Sequence, residues 1–388
     1  MEIVIGIIIG VIALTLLVAT HELGHGIVAR RNGVVVEEFG IGFPPRAYSK
    51  VIKKSILGEN VRFSLNWLPL GGFVKLQGEH DAADQPGDYG AATFWQKTKI
   101  LLAGVTVNWL TAVVLLTGLA WVGLPKMIDN QFYLPSDAVV SNHPVQLGTL
   151  TSGLPAAKAG LRQGDAINQL AGQTVRSTTD LAHFASQHKG ETVPVVYTRG
   201  DKQATAMVAL RKDNPDRKGY LGAELTKQQD TIRATWSAPI VGVVTTAQLT
   251  GATLQGLGDM VVNLATSLVQ QFSSDSATSQ QAKQNLSQVG NAVAGPVGIF
   301  AIIFPAAGQA GVVHVLLLTA IIALSLAVMN ILPIPALDGG RWTVMAIFRL
   351  LRKPLSKQME ENIQAAGFLC LLGLIVLVTI ADIGKLVH

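Results

Sequence analysis

The sequence predicts a multi-pass α-helical membrane protein with four transmembrane helices, a cytoplasmic-side β-hairpin and an inserted extracytoplasmic α+β domain. Three observations predict it. Only 14% of the 388 residues are charged and 49% are hydrophobic, where a typical soluble chain carries about 25% charged residues. Four uncharged runs are long enough for helices that cross a bilayer. Lys and Arg crowd into two of the segments between those runs, as they do on the cytoplasmic side of membranes.

The elements follow in order. Residues 3–20 are uncharged and set the first span at about 3–29. No Lys or Arg precedes them and Glu2 stands where a signal peptide would be basic, which argues against a cleaved leader. Residues 100–124, between Lys99 and Lys126, set the second span at about 99–124. The third is about 312–337, and the fourth, between Glu361 and Asp382, is about 363–382. Residues 30–99 hold ten Lys/Arg and residues 341–357 hold five. Both segments lie on the same side of a four-span chain and are read as cytoplasmic, which puts both termini outside. The large segment between spans two and three is also outside, since long loops cross largely regardless of charge.

Four regions result: an N-terminal membrane core (1–126), an inserted domain (127–228), a helical region with a polar loop (229–295) and a C-terminal membrane core (296–388). In the inserted domain, Val139-Val140 and the stretches 195–198 and 206–210 read as short strands between polar turns. Leu254, Leu257, Val261, Leu264 and Leu268 recur at steps of three and four, which is helical spacing. Residues 273–288 are Ser/Gln-rich and read as a polar loop. The segment 61–77 alternates into Gly71-Gly72 and reads as a hairpin. The net charge of +5 comes without a basic stripe interleaved with aromatics, so nucleic acid is excluded as a partner. The single cysteine, Cys370, excludes an intrachain disulfide and a multi-Cys metal site.

The chemistry is carried by His21-Glu22-Leu23-Gly24-His25. On a helix His21 and His25 share one face, one turn apart, so both imidazoles reach one ion. Glu22 sits beside that ion, where it can take a proton from water. The motif directly follows an apolar run, and ionisable side chains beside lipid are costly enough to be functional by default. A catalytic zinc site needs a third ligand and an open position. Glu37 and Glu38 lie beyond the cationic pair Arg30-Arg31. The better candidate is Asp338, the first acidic residue after a long uncharged stretch. Pro333 and Pro335 just before it forbid a regular helix, and irregular backbone at membrane depth is tolerated only in a protected or wet cavity.

These motifs resemble the site-2 protease family of intramembrane zinc metalloproteases, especially its bacterial RseP-like branch. Residues 21–25 match the family's zinc motif, and residues 330–340 resemble its N-x-x-P-x-P-x-L-D-G-G segment. Residues 39–45, 68–75 and 294–299 also look like family segments. The resemblance implies zinc held by His21, His25 and Asp338, with Glu22 as general base. It implies that Asn330 holds the substrate backbone or stabilises the developing oxyanion. It also implies that the hairpin, through Gly71, Gly72, Phe73 and Val74, pairs with an unwound substrate. Residues 152–167 resemble a PDZ domain of the bacterial protease type; one such domain is present where RseP has two.

The expected activity is therefore zinc-dependent intramembrane endoproteolysis. The expected partners are the lipid bilayer, single-span membrane proteins of the anti-sigma-factor or remnant-signal-peptide type, and a peptide end at the PDZ domain. The expected site is the bacterial plasma (inner) membrane, with the active site toward the cytoplasm. A non-catalytic PDZ scaffold would have a degraded metal motif, and a zinc transporter would carry several polar sites along a path; neither pattern is present.

Overall fold

The computed structural model describes residues 2–141, 143–214, 218–227, 230–270 and 295–387. The chain divides into two compact units. Met1–Leu124, Gln131–Asp137 and Ala234–His388 form the first, and Pro125–Asn130 and Ala138–Arg233 form the second. The expected polar loop at 273–288 lies outside the described residues.

The first unit opens with α1 (Glu2–Arg31), whose last turn carries Arg30 and Arg31. Two long strands follow, β1 (Val36–Ser55) and β2 (Gly58–Leu76). Their pairing corrects the expected hairpin at 61–77. The two halves of that segment do not pair with each other. Instead Glu38 to Ile41 lies between them, matched to Arg62–Leu65 on one side and to residues 75–72 on the other. The hairpin turn is at residues 56–57, where Ser55 meets Gly58. Residues 72–76 therefore form an outer edge of the sheet. Leu57, Val61, Leu76 and Phe39 pack with Ala29 of α1 and Ile100 in one buried cluster. Next comes α2 (Phe94–Val122), which starts before the expected 99 because Thr93 and Gln96 form a capping box.

The second unit is built on β4 (Val139–Ser141), β5 (Val145–Leu150), β6 (Ala166–Leu170), β7 (Gln173–Thr174), β8 (Thr192–Arg199), β9 (Lys202–Ala209), β10 (Ala223–Lys227) and β11 (Thr231–Arg233), after a two-residue β3 (Leu124–Pro125). The main sheet has the order β10-β5-β6-β8-β9. Two helices, α3 (Pro155–Lys158) and α4 (Thr178–Gln187), accompany it. Alternation along β8 buries Val193 and Val195, which join Leu147, Ile167, Leu170 and Leu181 in a single apolar core. The three strands expected from the sequence are present, the last of them ending at Ala209.

The chain then returns to the first unit as α5 (Ala238–Gln270), α6 (Pro296–Ala310), α7 (Val312–Ile331), α8 (Asp338–Leu350) and α9 (Lys357–Val387). Four helices among the described residues are long and apolar enough to cross a membrane: α1, α2, α7 and α9. The third span ends at Ile331 rather than 337, because Pro333 and Pro335 break it. The fourth runs over Lys357–Val387, beyond the expected 363–382 at both ends. The sequence reading missed α6, which contains a π-helical turn at Ile299–Ile303 and is too short to span alone. It packs on α1 where Gly6 and Gly10 stand one turn apart. A Cβ at Gly6 would lie 2.5 Å from Pro305 Cα, and one at Gly10 would lie 2.6 Å from the Phe304 ring, so small residues let the helices touch. Asp382 of α9 caps α6 by accepting the Gly298 N–H at 2.8 Å.

Leu17 of α1, Ala112 of α2 and Ala323, Leu324 and Val328 of α7 form the buried seam of the helix bundle. Outward, α1 exposes Ile5, Ile8, Ile12 and Leu16, and α9 exposes Phe368, Leu369, Leu372 and Ile375. Continuous apolar surface of this extent is unstable in water. It fits the lipid that the composition called for.

Candidate metal centre

His21 and His25 project from α1 and Asp338 opens α8, more than three hundred residues later in the chain. The fold brings the three together. The two imidazole Nε2 atoms are 3.1 Å apart. Asp338 Oδ2 lies 3.2 Å from His21 Nε2 and 3.3 Å from His25 Nε2. Among the described residues this is the one group of His, Cys, Asp or Glu close enough to share an ion, with all ligand atoms within 4.8 Å of one another. Both histidines are buried.

Several features of the surroundings fit a cation. His25 Nδ1 lies 2.7 Å from the Ile100 carbonyl. A carbonyl only accepts, so Nδ1 carries the proton and the Nε2 lone pair faces the centre. Asp338 Oδ2 is buried and accepts no conventional hydrogen bond. Buried carboxylate oxygens are expensive without a partner, and here the lone pairs converge on one point. Gly104 of α2 leaves the space beside that point: a Cβ there would lie 2.4 Å from His25 Nε2 and 2.6 Å from His21 Nε2. Two imidazoles, one carboxylate and a protected space suit zinc.

Local sequence places Asp338. Gly339 and Gly340 bring the start of α8 against the end of the preceding segment, since a Cβ would lie 2.2 Å from the Ile331 carbonyl oxygen or 1.9 Å from that of Ile334. The next residues of α8 are tied down by polar contacts. Arg341 pairs with Glu360 at 3.2 Å, donates to the Glu79 carbonyl and lies over the Tyr89 ring. Burial raises the Tyr89 hydroxyl above its ordinary range. Trp342 Nε1 donates to Thr98 Oγ1 at 3.0 Å, which ties α8 to α2.

Glu22 Oε2 accepts the backbone N–H of Val74 at 3.1 Å. Val74 belongs to the outer edge strand, which runs along α1: a Cβ on Gly72 would lie 3.5 Å from Ala19 Cα, and one on Gly71 would lie 3.4 Å from Val18. Phe73 lays its ring over Gly40, where no side chain would fit. Asn330 stands half-buried in the last turn of α7 and forms no hydrogen bond with His21, His25 or Asp338.

Sequence reasoning missed three contributors, all on α2: the Ile100 carbonyl, Gly104 and Asn108. Asn108 is 1% exposed and its amide lies 3.1 Å from His21 Nδ1. The signal was available, since Asn108 is an amide in the middle of a span, where polar side chains are costly.

Comparison with known proteins gives a consistent picture. The sequence model of peptidase family M50 matches residues 9–374. The chain is 31% identical over 377 residues to the Clostridium perfringens protein CPE1693, named as a candidate zinc metalloprotease, covering 97% of this chain and 98% of that one. It is 27% identical over 455 residues to the zinc metalloprotease RasP of Bacillus licheniformis, covering 95% of this chain and 96% of the relative. It is 26% identical over 454 residues to the regulator of sigma-W protease RasP of Bacillus subtilis, with the same coverage of 95% and 96%. Among solved structures, the PDZ domain of the SdrC-like protein of Listeria monocytogenes is 28% identical, covers 23% of this chain and 92% of its own, and has a TM-score of 0.20.

Proposed function

Since the chain belongs to peptidase family M50, the site-2 type of metalloprotease, we propose that it is a zinc-dependent endopeptidase that cuts membrane-spanning segments of single-span proteins. The observation that carries this reading is the convergence of His21, His25 and Asp338 on one point among spanning helices. A zinc ion held by these three residues supplies a Lewis acid for the scissile carbonyl and makes nearby water more acidic.

The remaining chemistry belongs to the chain's own side chains. Glu22 accepts the proton of the attacking water and returns it to the leaving amine. The Asn330 amide meets the carbonyl oxygen as negative charge develops on it. Gly71, Gly72, Phe73 and Val74 form the edge to which an unwound substrate adds as a strand. Unwinding is required, because a helix uses its carbonyls internally. The second unit is a PDZ-like domain that captures a peptide end or screens substrates. This is supported by the motif at 152–167 and by β10, which lies at the end of the main sheet beside the apolar core. Substrates of the anti-sigma-factor or remnant-signal-peptide type fit a bacterial inner-membrane location, with both termini outside and the zinc site toward the cytoplasm. The name of the Bacillus subtilis relative, regulator of sigma-W protease, supports the first class.

The test is cleavage of a single-span substrate in proteoliposomes by wild type and by Glu22→Gln, with zinc content measured on both. Zinc retained with cleavage lost is expected. Cleavage undiminished in the variant would remove Glu22 from its role, and no cleavage by the zinc-loaded wild type of any single-span substrate would favour the scaffold alternative.

A further inference from the structure

We propose that the cavity between the start of α2 and the end of α8 binds the headgroup of an anionic phospholipid, with Arg349 and Lys353 holding its phosphate. This site is distinct from the metal centre and stands whether or not the chain is a protease. It requires only that the chain lie in a bilayer.

The cavity measures about 330 Å³. Phe94, Phe348 and Leu355 give it apolar walls, and Lys97, Arg349 and Lys353 give it positive charge. Its one acid is Asp81, which forms an ion pair with Lys97. Lys97 is buried and its charge is spent there. Two cations remain, and both are exposed. The Arg349 guanidinium stacks on Phe94, its carbon 4.7 Å from the ring centre, a contact that holds the group without neutralising it. Among the described residues neither Arg349 nor Lys353 pairs with a carboxylate. The end of α8 builds this rim. Arg352 takes φ +54 and the Lys353 N–H donates to the Phe348 carbonyl at 3.0 Å, a left-handed turn that ends the helix. Pro354 keeps it from resuming. Thr93 and Phe94 bring the start of α2 to the same cavity, and that end of a helix carries partial positive charge.

The neighbours decide which anion reaches it. Trp95, next to Phe94, is 69% exposed, and Leu350 and Leu351, next to Arg349, are 83% and 57% exposed. Large apolar side chains grouped this way at the surface call for lipid, and tryptophan collects at the headgroup level of a bilayer. Basic pockets between membrane helices take anionic headgroups. Here two cations stand at the rim and apolar walls lie beside them, which matches a phosphate joined to acyl chains. A soluble phosphate would gain nothing from the walls. Asp338 opens α8 and Trp342 ties that helix to α2, so a lipid bound between the two would brace the helix that begins with Asp338.

The full chain, delipidated in detergent, is titrated with phosphatidylglycerol or with phosphatidylcholine of the same acyl chains, and bound lipid is counted by native mass spectrometry. Phosphatidylglycerol is expected to bind more tightly. Arg349→Gln and Lys353→Gln are each expected to weaken it about fivefold, with phosphatidylcholine unchanged. Arg349→Lys keeps the charge and is expected to keep most of the affinity. Lys53→Gln on β1 removes an exposed lysine that does not line the cavity, and is expected to change nothing. Equal affinity of the wild type for the two lipids, or undiminished phosphatidylglycerol binding in both Gln variants, would overturn the site. An equal loss in Lys53→Gln would reduce it to overall charge, and an equal loss in Arg349→Lys would reduce it to packing on Phe94; either overturns it. Displacement of the lipid by glycerol phosphate at comparable affinity would leave a soluble phosphate site and overturn the lipid assignment.

Discussion

The side-chain amide of Asn108 on α2 lies 3.1 Å from Nδ1 of His21 on α1, and the Asn108 Oδ1 is buried without a partner. One arrangement accounts for the contact with His21. When Oδ1 faces His21, it accepts the Nδ1 proton, and the His21 Nε2 lone pair is left facing Asp338 and His25. Both imidazoles then share one tautomer, His25 through the Ile100 carbonyl and His21 through Asn108. Asn108→Leu keeps the volume and removes the acceptor. Zinc affinity is expected to fall about 10–100-fold, measured by competition with a chelator of known affinity. Unchanged affinity would show that the amide does not orient the ligand.

Gly104 gives a sharper version of the same test, because two effects of Gly104→Ala oppose each other. Alanine favours a helix interior over glycine by about 1 kcal/mol. The added Cβ, however, would sit 2.4 Å from His25 Nε2 and 2.6 Å from His21 Nε2. The expected result is a protein whose zinc content drops severely while its helical structure and thermal stability are kept. Full zinc content and activity in the variant would mean that α2 can retreat from the site.

The contrast between these residues and the ligands shows what was legible in advance. His21 and His25 were readable because a one-turn spacing is local. Asp338 stood out as an acid after two prolines in an uncharged stretch. Asn108 was equally visible as a polar residue in a span, but its partner is 87 residues away, and only packing decides which side chain it meets. The strand at 61–77 was evident from alternation, but its neighbour was not. Alternation tells which face is buried and is silent about which strand lies alongside, and here Val36 to Ile41 intervenes. The start of α2 is legible in Thr93 and Gln96, one turn before the hydropathy boundary. The membership of α6 in the bundle was hidden because its length suits neither a span nor a loop.

In the second unit, Asp165 links the turn before β6 to β8. Its side chain is 1% exposed, it takes two hydrogen bonds of 2.7 Å from Arg199, and it accepts the Arg162 N–H at 2.7 Å. Burial raises its carboxyl, but the Arg199 side-chain bonds, the Arg162 N–H and the two positive charges together hold it below the ordinary range. A depressed native value means that the contribution is complete above about pH 4, the unfolded value, and is lost as pH falls through the native one. Arg199→Ala removes the opposing charge and leaves the desolvation. The acid-unfolding transition of this unit is expected to move to higher pH, read by limited proteolysis of the full chain in detergent across a pH series. A transition that stays in place would show that the pair is incidental to acid stability.

The outer strand at residues 72–76 carries a contact that bears on substrate addition. Gln77 donates inward to Val35 at 2.9 Å, so the even-numbered residues before it point their N–H groups away from β1. Two of these outward donors are already taken by carboxylates: Val74 by Glu22 at 3.1 Å and Leu76 by Glu79 at 2.8 Å. A substrate strand that adds to this edge competes with both. Glu79 is the one that can be removed without touching the catalytic group. Glu79→Ala is expected to lower KM for a single-span substrate about fivefold, the equivalent of one net hydrogen bond, with kcat and zinc content unchanged. A merely structural role for Glu79 predicts lower thermal stability with KM unchanged. A KM that is unchanged or raised would mean that substrate does not pair at Leu76.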